Sequence, residues 1–260
     1  MPPSVDSFWQ RLQFALLPPH CLLCGHRSDR ARDLCSACAA ELARNRSACA
    51  RCALPLPVSA ALCGDCLKRE PSFDAAFAPF IYGHPFDLLM TKLKFGHSLA
   101  AGRVLAELWA QALRESIAST ALPLLPDLLI PVPLHPARLR ERGYNQALEL
   151  AKPVAREFGI ALAPDLLKRR RATPAQANLD AKTRRRNLRN AFVVDTNTIV
   201  ENYSSAALAH AVAAAAPRHV AIIDDVMTTG ATLHECARTL KRAGVARVDV
   251  WALARAPRVR

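Results

Sequence analysis

With 260 residues, 51% of them hydrophobic, the chain can bury a core of its own, which excludes a disordered or fibrous protein. Lys and Arg outnumber Asp and Glu by 35 to 22, and the net charge of +13 favours partners that carry negative charge, phosphates or nucleic acid among them. The longest apolar stretches, LPLLPDLLIPVPL and AALAHAVAAAAP, are broken by Pro, Asp or His, and the N-terminus lacks a signal-peptide pattern, so the expectation is a soluble, cytoplasmic protein with no membrane insertion.

In chain order, the spacing of Val5, Phe8, Leu12, Ala15 and Leu16 predicts a short amphipathic helix stopped by Pro18 and Pro19. Four CxxC pairs follow: Cys21 and Cys24, Cys35 and Cys38, Cys49 and Cys52, Cys63 and Cys66, each pair beginning fourteen residues after the one before. Two thiolates on one tight turn face the same cation, and a second such turn completes a tetrahedral site whose usual occupant is Zn²⁺. A disulfide framework does not suit a reducing cytosol. The even spacing allows pairs one with two and three with four, or one with three and two with four. The sequential pairing closes the shortest loops and is the one expected. Four thiolates leave no position for water, so the two zinc ions are expected to be structural. His20 and His26 read as bystanders, and Cys236, in step with Leu233 and Leu240, reads as a core residue.

After Cys66 the text changes character, which puts a boundary near residue 70 between a Cys-rich domain (1–70) and a second domain (71–260). FDAAFAPFIYG reads as strand, FDLLMTKLKF as helix, residues 98–117 as helix, DLLIPVPLH as a strand ending in a proline-containing loop, and Tyr144 to Phe158 as helix. Residues 168–190 are polar and densely basic, the character of a solvated loop. Residues 204–216 are Ala-rich and helical in pattern. HVAIIDD then reads as a strand covered on both faces, followed by a helix over about 231–243 and a strand at RVDVWALA. Strands alternating with helices predict an α/β fold with a mostly parallel sheet flanked by helices.

The stretch VAIIDDVMTTGAT, residues 220–232, joins that buried strand to two carboxylates and a threonine-rich turn. Ligands of open α/β sheets bind beyond the carboxyl ends of the strands. Backbone N–H groups of Thr228, Thr229, Gly230, Ala231 and Thr232 at the start of the next helix suit a phosphate, and Gly230 allows close approach. Carboxylates at Asp224 and Asp225 suit hydroxyl groups or a cation. A ligand bearing both a diol and a phosphate, such as a ribose 5-phosphate, satisfies both ends.

This stretch resembles the phosphoribosyl diphosphate (PRPP) signature of type I phosphoribosyltransferases at every position. Together with the CxxC array, LKFG at 93–96, PVPLHPARLRERGYNQ at 131–146, and Thr173, Gln176, Leu179, Arg184, Asn187, Ala191 and Phe192, it resembles the ComF family of competence-associated, phosphoribosyltransferase-like proteins over nearly the whole length. The resemblance implies a phosphoribosyltransferase fold behind a double zinc ribbon. It implies Asp224 and Asp225 on the ribose hydroxyls, Met227 to Thr232 around the 5-phosphate, and Arg138 and Arg142 near the pyrophosphate. It further implies a loop over 168–190, with Arg184, that closes on the site, and Mg²⁺ bridging pyrophosphate and ribose oxygens. Purine-salvage relatives carry an acid where Thr228 stands here, which speaks against a purine acceptor. The segment from Thr196 to Arg218 is longer than the family pattern. The activities implied are phosphoribosyl transfer from PRPP linked to DNA uptake or, as an alternative, non-catalytic binding of single-stranded DNA or of DNA-uptake proteins.

Overall fold

Val220, Ala221, Ile222 and Ile223 are fully buried, which requires cover on both faces of their strand. The computed structural model describes residues 18–58, 60–96, 98–119, 124–170, 188, 190–195 and 218–258. Its helices are α1 (Ser36–Ala40), α2 (Gly64–Lys68), α3 (Phe86–Phe95), α4 (Leu99–Ala118), α5 (Pro136–Arg142), α6 (Gln146–Phe158) and α7 (Ala231–Arg242). Its strands are β1 (Ala75–Phe77), β2 (Phe80–Ile81), β3 (Leu128–Pro131), β4 (Ala161–Leu162), β5 (Leu167–Arg169), β6 (Phe192–Val194), β7 (His219–Met227) and β8 (Arg247–Arg255). The main sheet is parallel throughout, in the order β1-β8-β7-β3-β4, with β2 also paired to β8. β5 and β6 form a separate antiparallel pair. The fold is therefore the α/β arrangement expected. The N-terminal amphipathic helix, the Ala-rich segment, and Thr173, Gln176, Leu179, Arg184 and Asn187 lie outside the described residues.

Strand alternation divides the core in two. Leu129, Ala221, Ile223, Trp251 and Leu253 pack with buried residues of α3, α4 and α6. Leu128, Ile130, Val220, Ile222, Val248 and Val250 pack with Leu233, Cys236, Ala237 and Leu240 of α7. The helices offer the matching stripes. In α4, Ala101, Val104, Leu105, Leu108, Trp109 and Ala112 recur at helical spacing behind a Ser98 cap. α6 begins two residues later than the pattern suggested because Asn145 caps it, its side chain accepting from the Ala147 N–H.

The Cys-rich segment joins both layers. Cys21, Leu34, Cys38 and Leu42 belong to the first, and Cys49, Cys52, Cys63 and Cys66 to the second. Between them the chain runs along β2: the Ile81 N–H donates to Ala43 O (2.9 Å), and the Asn45 N–H donates to Pro79 O (2.8 Å). This crossing hydrogen-bonds backbone groups at an edge of the sheet.

Two segments differ from the expectation. α5 forms in what reads as loop, and it has no buried residue, hence no apolar periodicity to announce it. Lys168 and Arg169, the start of the basic run, lie in β5, and Leu188 near its end is buried. Among the described residues, no helix is long and apolar enough to cross a membrane.

Candidate functional site

Each group of four cysteines in the sequential pairing, Cys21, Cys24, Cys35 and Cys38, then Cys49, Cys52, Cys63 and Cys66, brings its sulfurs within 4.8 Å of one another. Cys24 and Cys35 sulfurs are 3.9 Å apart, and those of Cys52 and Cys63 are 3.6 Å apart. A bond of about 2.3 Å from zinc to each sulfur gives a tetrahedral edge of roughly 3.8 Å, whereas a disulfide needs about 2.05 Å. The thiols thus have the spacing of metal ligands, and all are unbridged. Burial raises the pKa of Cys21 and Cys49, but backbone N–H donors outweigh it and bring them to about 6 and about 7, within reach of the thiolate form a metal needs. The Cys63 N–H donates to Cys49 Sγ at 3.2 Å. These two groups support structural Zn²⁺. Neither His20 nor His26 belongs to them.

At the carboxyl end of the sheet, β7 carries the paired acids. Asp225 is buried and makes an ion pair of 2.8 Å with Lys94 from α3. Asp224 accepts from the Asp225 N–H at 2.9 Å. Burial and then the charge of Asp225 push the Asp224 carboxyl up to about 7, while Lys94 and Arg169 pull it down. Lys94 was legible as part of LKFG, but nothing in the sequence paired it with Asp225.

The turn after β7 ends at Gly230, which caps α7 in the left-handed conformation with φ 72°. A side chain there would bring its Cβ to 2.7 Å from Met227 Cε. The N–H groups of Thr228, Thr229 and Gly230 have no hydrogen-bond partner among the described residues. Thr228 and Thr229 are exposed, and Met227 and Ala231 are buried beneath them. Thr232 lies in the first turn of α7. This gives the turn unpaired donors at the positive end of a helix dipole, an arrangement that suits an anion.

The loop after β3 leads into α5 and α6. Asn145 Nδ2 donates to Val132 O (3.0 Å), and the Tyr144 hydroxyl donates to Leu93 O, fixing the start of α6 beside α3. Arg142 donates to Gln146 Oε1 at 3.2 Å and lies over the Phe95 ring. Burial lowers the pKa of Arg138, and so does the charge of Arg142. Burial and then the charge of Arg138 do the same to Arg169. Arg138 and Arg142 therefore belong to a cationic cluster that Arg169 of β5 joins, a residue the sequence left within a basic run. The catalytic candidate Arg184 lies outside the described residues.

Two family descriptions match the chain: a double zinc ribbon domain at residues 12–67 and a phosphoribosyl transferase domain at 145–260. Competence protein F of Haemophilus influenzae is 37% identical over 190 residues, 73% of this chain and 76% of that protein. The DNA utilization protein YhgH of Salmonella typhi is 36% identical over 189 residues, and that of Escherichia coli K12 is 32% identical over 189, each spanning 73% of this chain and 75% of the relative. The chain belongs to the ComF family. Its double zinc ribbon and its phosphoribosyltransferase-type sheet are both features of the structure.

Proposed function

We propose that the chain binds PRPP across the carboxyl ends of β3 and β7 and transfers its phosphoribosyl group to an acceptor, releasing pyrophosphate, in the service of DNA uptake or use. The observation that carries this reading is the fold of residues 220–232. A buried strand delivers two acids, and the next turn offers unpaired N–H groups at a helix start. Carboxylates at one end and an anion cradle at the other match the diol and the phosphate of one ribose 5-phosphate. The relatives' names, competence protein F and DNA utilization protein, support the link to DNA.

In this reading Asp224 and Asp225 orient the ribose hydroxyls and residues 228–232 hold the 5-phosphate. Arg138, Arg142 and Arg169 face the pyrophosphate, with Arg184 expected to join them. In transfer, the bond from C1 of the ribose to pyrophosphate breaks and its electron pair leaves with the pyrophosphate, while a bond forms from the acceptor to C1. Cations aimed at the departing oxygens stabilise the charge they gain. The two carboxylates are hard oxygen donors of the kind Mg²⁺ takes together with substrate phosphates, and when bound it would neutralise charge on them. Lys94 holds the Asp225 charge in the absence of ligand, so a hydroxyl or cation must compete with a 2.8 Å ion pair.

Calorimetry of PRPP with Mg²⁺ and of a single-stranded oligonucleotide on the same zinc-loaded protein tests the reading. Binding of PRPP is the expected result. Oligonucleotide binding without PRPP binding would overturn it in favour of a non-catalytic single-stranded DNA-binding or adaptor role, which the charge of +13 favours.

A further inference from the structure

Arg255 closes β8, is 6% exposed, and pairs with no carboxylate among the described residues. Its Nε donates to Cys52 O (3.1 Å), and its Nη1 donates to Met227 O (3.0 Å), Ala256 O (2.9 Å) and Thr228 O. One guanidinium thus joins a ligand turn of the second zinc ribbon to both carbonyls at the start of the phosphate turn. A guanidinium is a rigid fork that keeps its charge, so burying it calls for nearby negative charge. Cys52, whose carbonyl Arg255 binds, is one of the four cysteines of the second ribbon. A zinc ion with four thiolates carries a net charge of about −2.

The geometry of the peptide unit makes this contact matter for binding. In a planar trans peptide the C=O and the following N–H point in opposite directions. Fixing the carbonyls of Met227 and Thr228 on Arg255 therefore turns the N–H groups of Thr228 and Thr229 away from it. These are unpaired donors of the turn described above. A cleft of about 630 Å³, lined by Cys52, Phe73, Thr228, Gly230 and Arg255, lies between the second ribbon and this turn, and the first ribbon contributes nothing to it.

We infer that Arg255 is a positioning residue through which zinc occupancy of the second ribbon, and not of the first, sets the shape of the anion-binding turn at residues 228–232. The metal fixes the Cys52 turn and supplies the counter-charge, the guanidinium is held by both, and the two carbonyls follow it. Without that metal the Cys52 turn is no longer held in place, and the turn at 228–232 loses the anchor that reaches it through Arg255. The inference rests on the reading that this turn receives a phosphate.

The test uses the full chain. With ribose 5-phosphate and Mg²⁺ as the probe, Arg255→Met is expected to bind about tenfold more weakly or worse while keeping both zinc ions, and Arg255→Lys to fall between it and the parent. Backbone ¹⁵N order parameters at Thr228 and Thr229 are expected to drop from about 0.85 to below about 0.6 in Cys63→Ser, and to stay near the parent values in Cys24→Ser. Parent-like binding by a zinc-replete Arg255→Met would overturn the inference, and so would an equal response of the turn to the two cysteine variants. If Arg255→Met does not fold, the cysteine comparison decides. A parent that binds no ribose 5-phosphate would overturn the phosphoribosyl reading instead, and the order parameters would still decide the coupling.

Discussion

Burial and the neighbouring charge of Asp225 lift the Asp224 carboxyl from an ordinary 3.8 to about 7. A carboxyl with a raised pKa keeps its proton in the folded chain below that value and is ionised above it. Affinity for PRPP with Mg²⁺ is therefore expected to rise from pH 6 to pH 8, and Asp224→Asn should flatten this part of the profile. Lys94→Met removes a charge that favours the ionised form and should move the rise to higher pH. By linkage, the ligand-free fold loses this group's contribution to stability as pH rises from about 4 to about 7, since only the unfolded chain has released the proton there. In the function proposed above, Gly230 and Asp225 act at the two ends of the same ligand. Gly230→Val puts a branched side chain at φ 72° and against Met227, a strain of about 1 to 3 kcal/mol, and it narrows the approach to the turn. Asp225→Asn removes the charge that now holds Lys94. Losing a hydrogen bond to a charged group costs about 1.5 to 3 kcal/mol, so each variant should weaken ribose 5-phosphate binding by roughly ten- to a hundredfold. Parent-like titrations by calorimetry would count against the assignment of both ends.

Among the elements, the ribbons make the sharpest demand. Two closed four-cysteine groups predict two zinc ions per chain. Because the groups are sequential in the chain, Cys21→Ser and Cys49→Ser should each remove one ion, leaving the other. Metal analysis of the purified variants checks this, and loss of both ions from either one would show that the sites depend on each other. The loop after β3 is a second case. α5 has His135 as its cap and Pro136 at its first position, and Asn145 caps α6, so the backbone from 135 to 146 is set by capping rather than by burial. This is why Arg138 and Arg142 can stay part-exposed on an ordered segment and still crowd one another.

Across the whole molecule, the Cys-rich segment is built into both layers of the sheet domain. Its linker also lies along β2, and Arg255 binds Cys52 O. Thermal unfolding of the zinc-loaded chain is accordingly expected as one cooperative transition that moves to lower temperature on chelation. Two separate transitions, with only the first sensitive to chelator, would show that residues 1–70 and 71–260 fold independently.

The sequence by itself determined the eight candidate zinc ligands, the parallel sheet, and the passage from strand to helix start over residues 220–232. Each of these is written in short-range pattern: CxxC spacing, an apolar run of strand length, and a strand that passes at once into a helix start. It left the pairing of the CxxC turns open until loop length was weighed, because an even spacing serves two pairings equally. It missed α5 and the β5–β6 pair, since a helix with no buried face and strands separated by a long basic run leave no periodic trace. Only the tertiary structure decided that Lys94 meets Asp225, that Arg169 joins Arg138 and Arg142, and that Arg255 ties Cys52 to Met227 and Thr228 at the end of β7. Lys94 is 131 residues from Asp225, and Arg255 is 203 from Cys52. Contacts at such separations are set by how helices and ribbons pack on the two faces of the sheet.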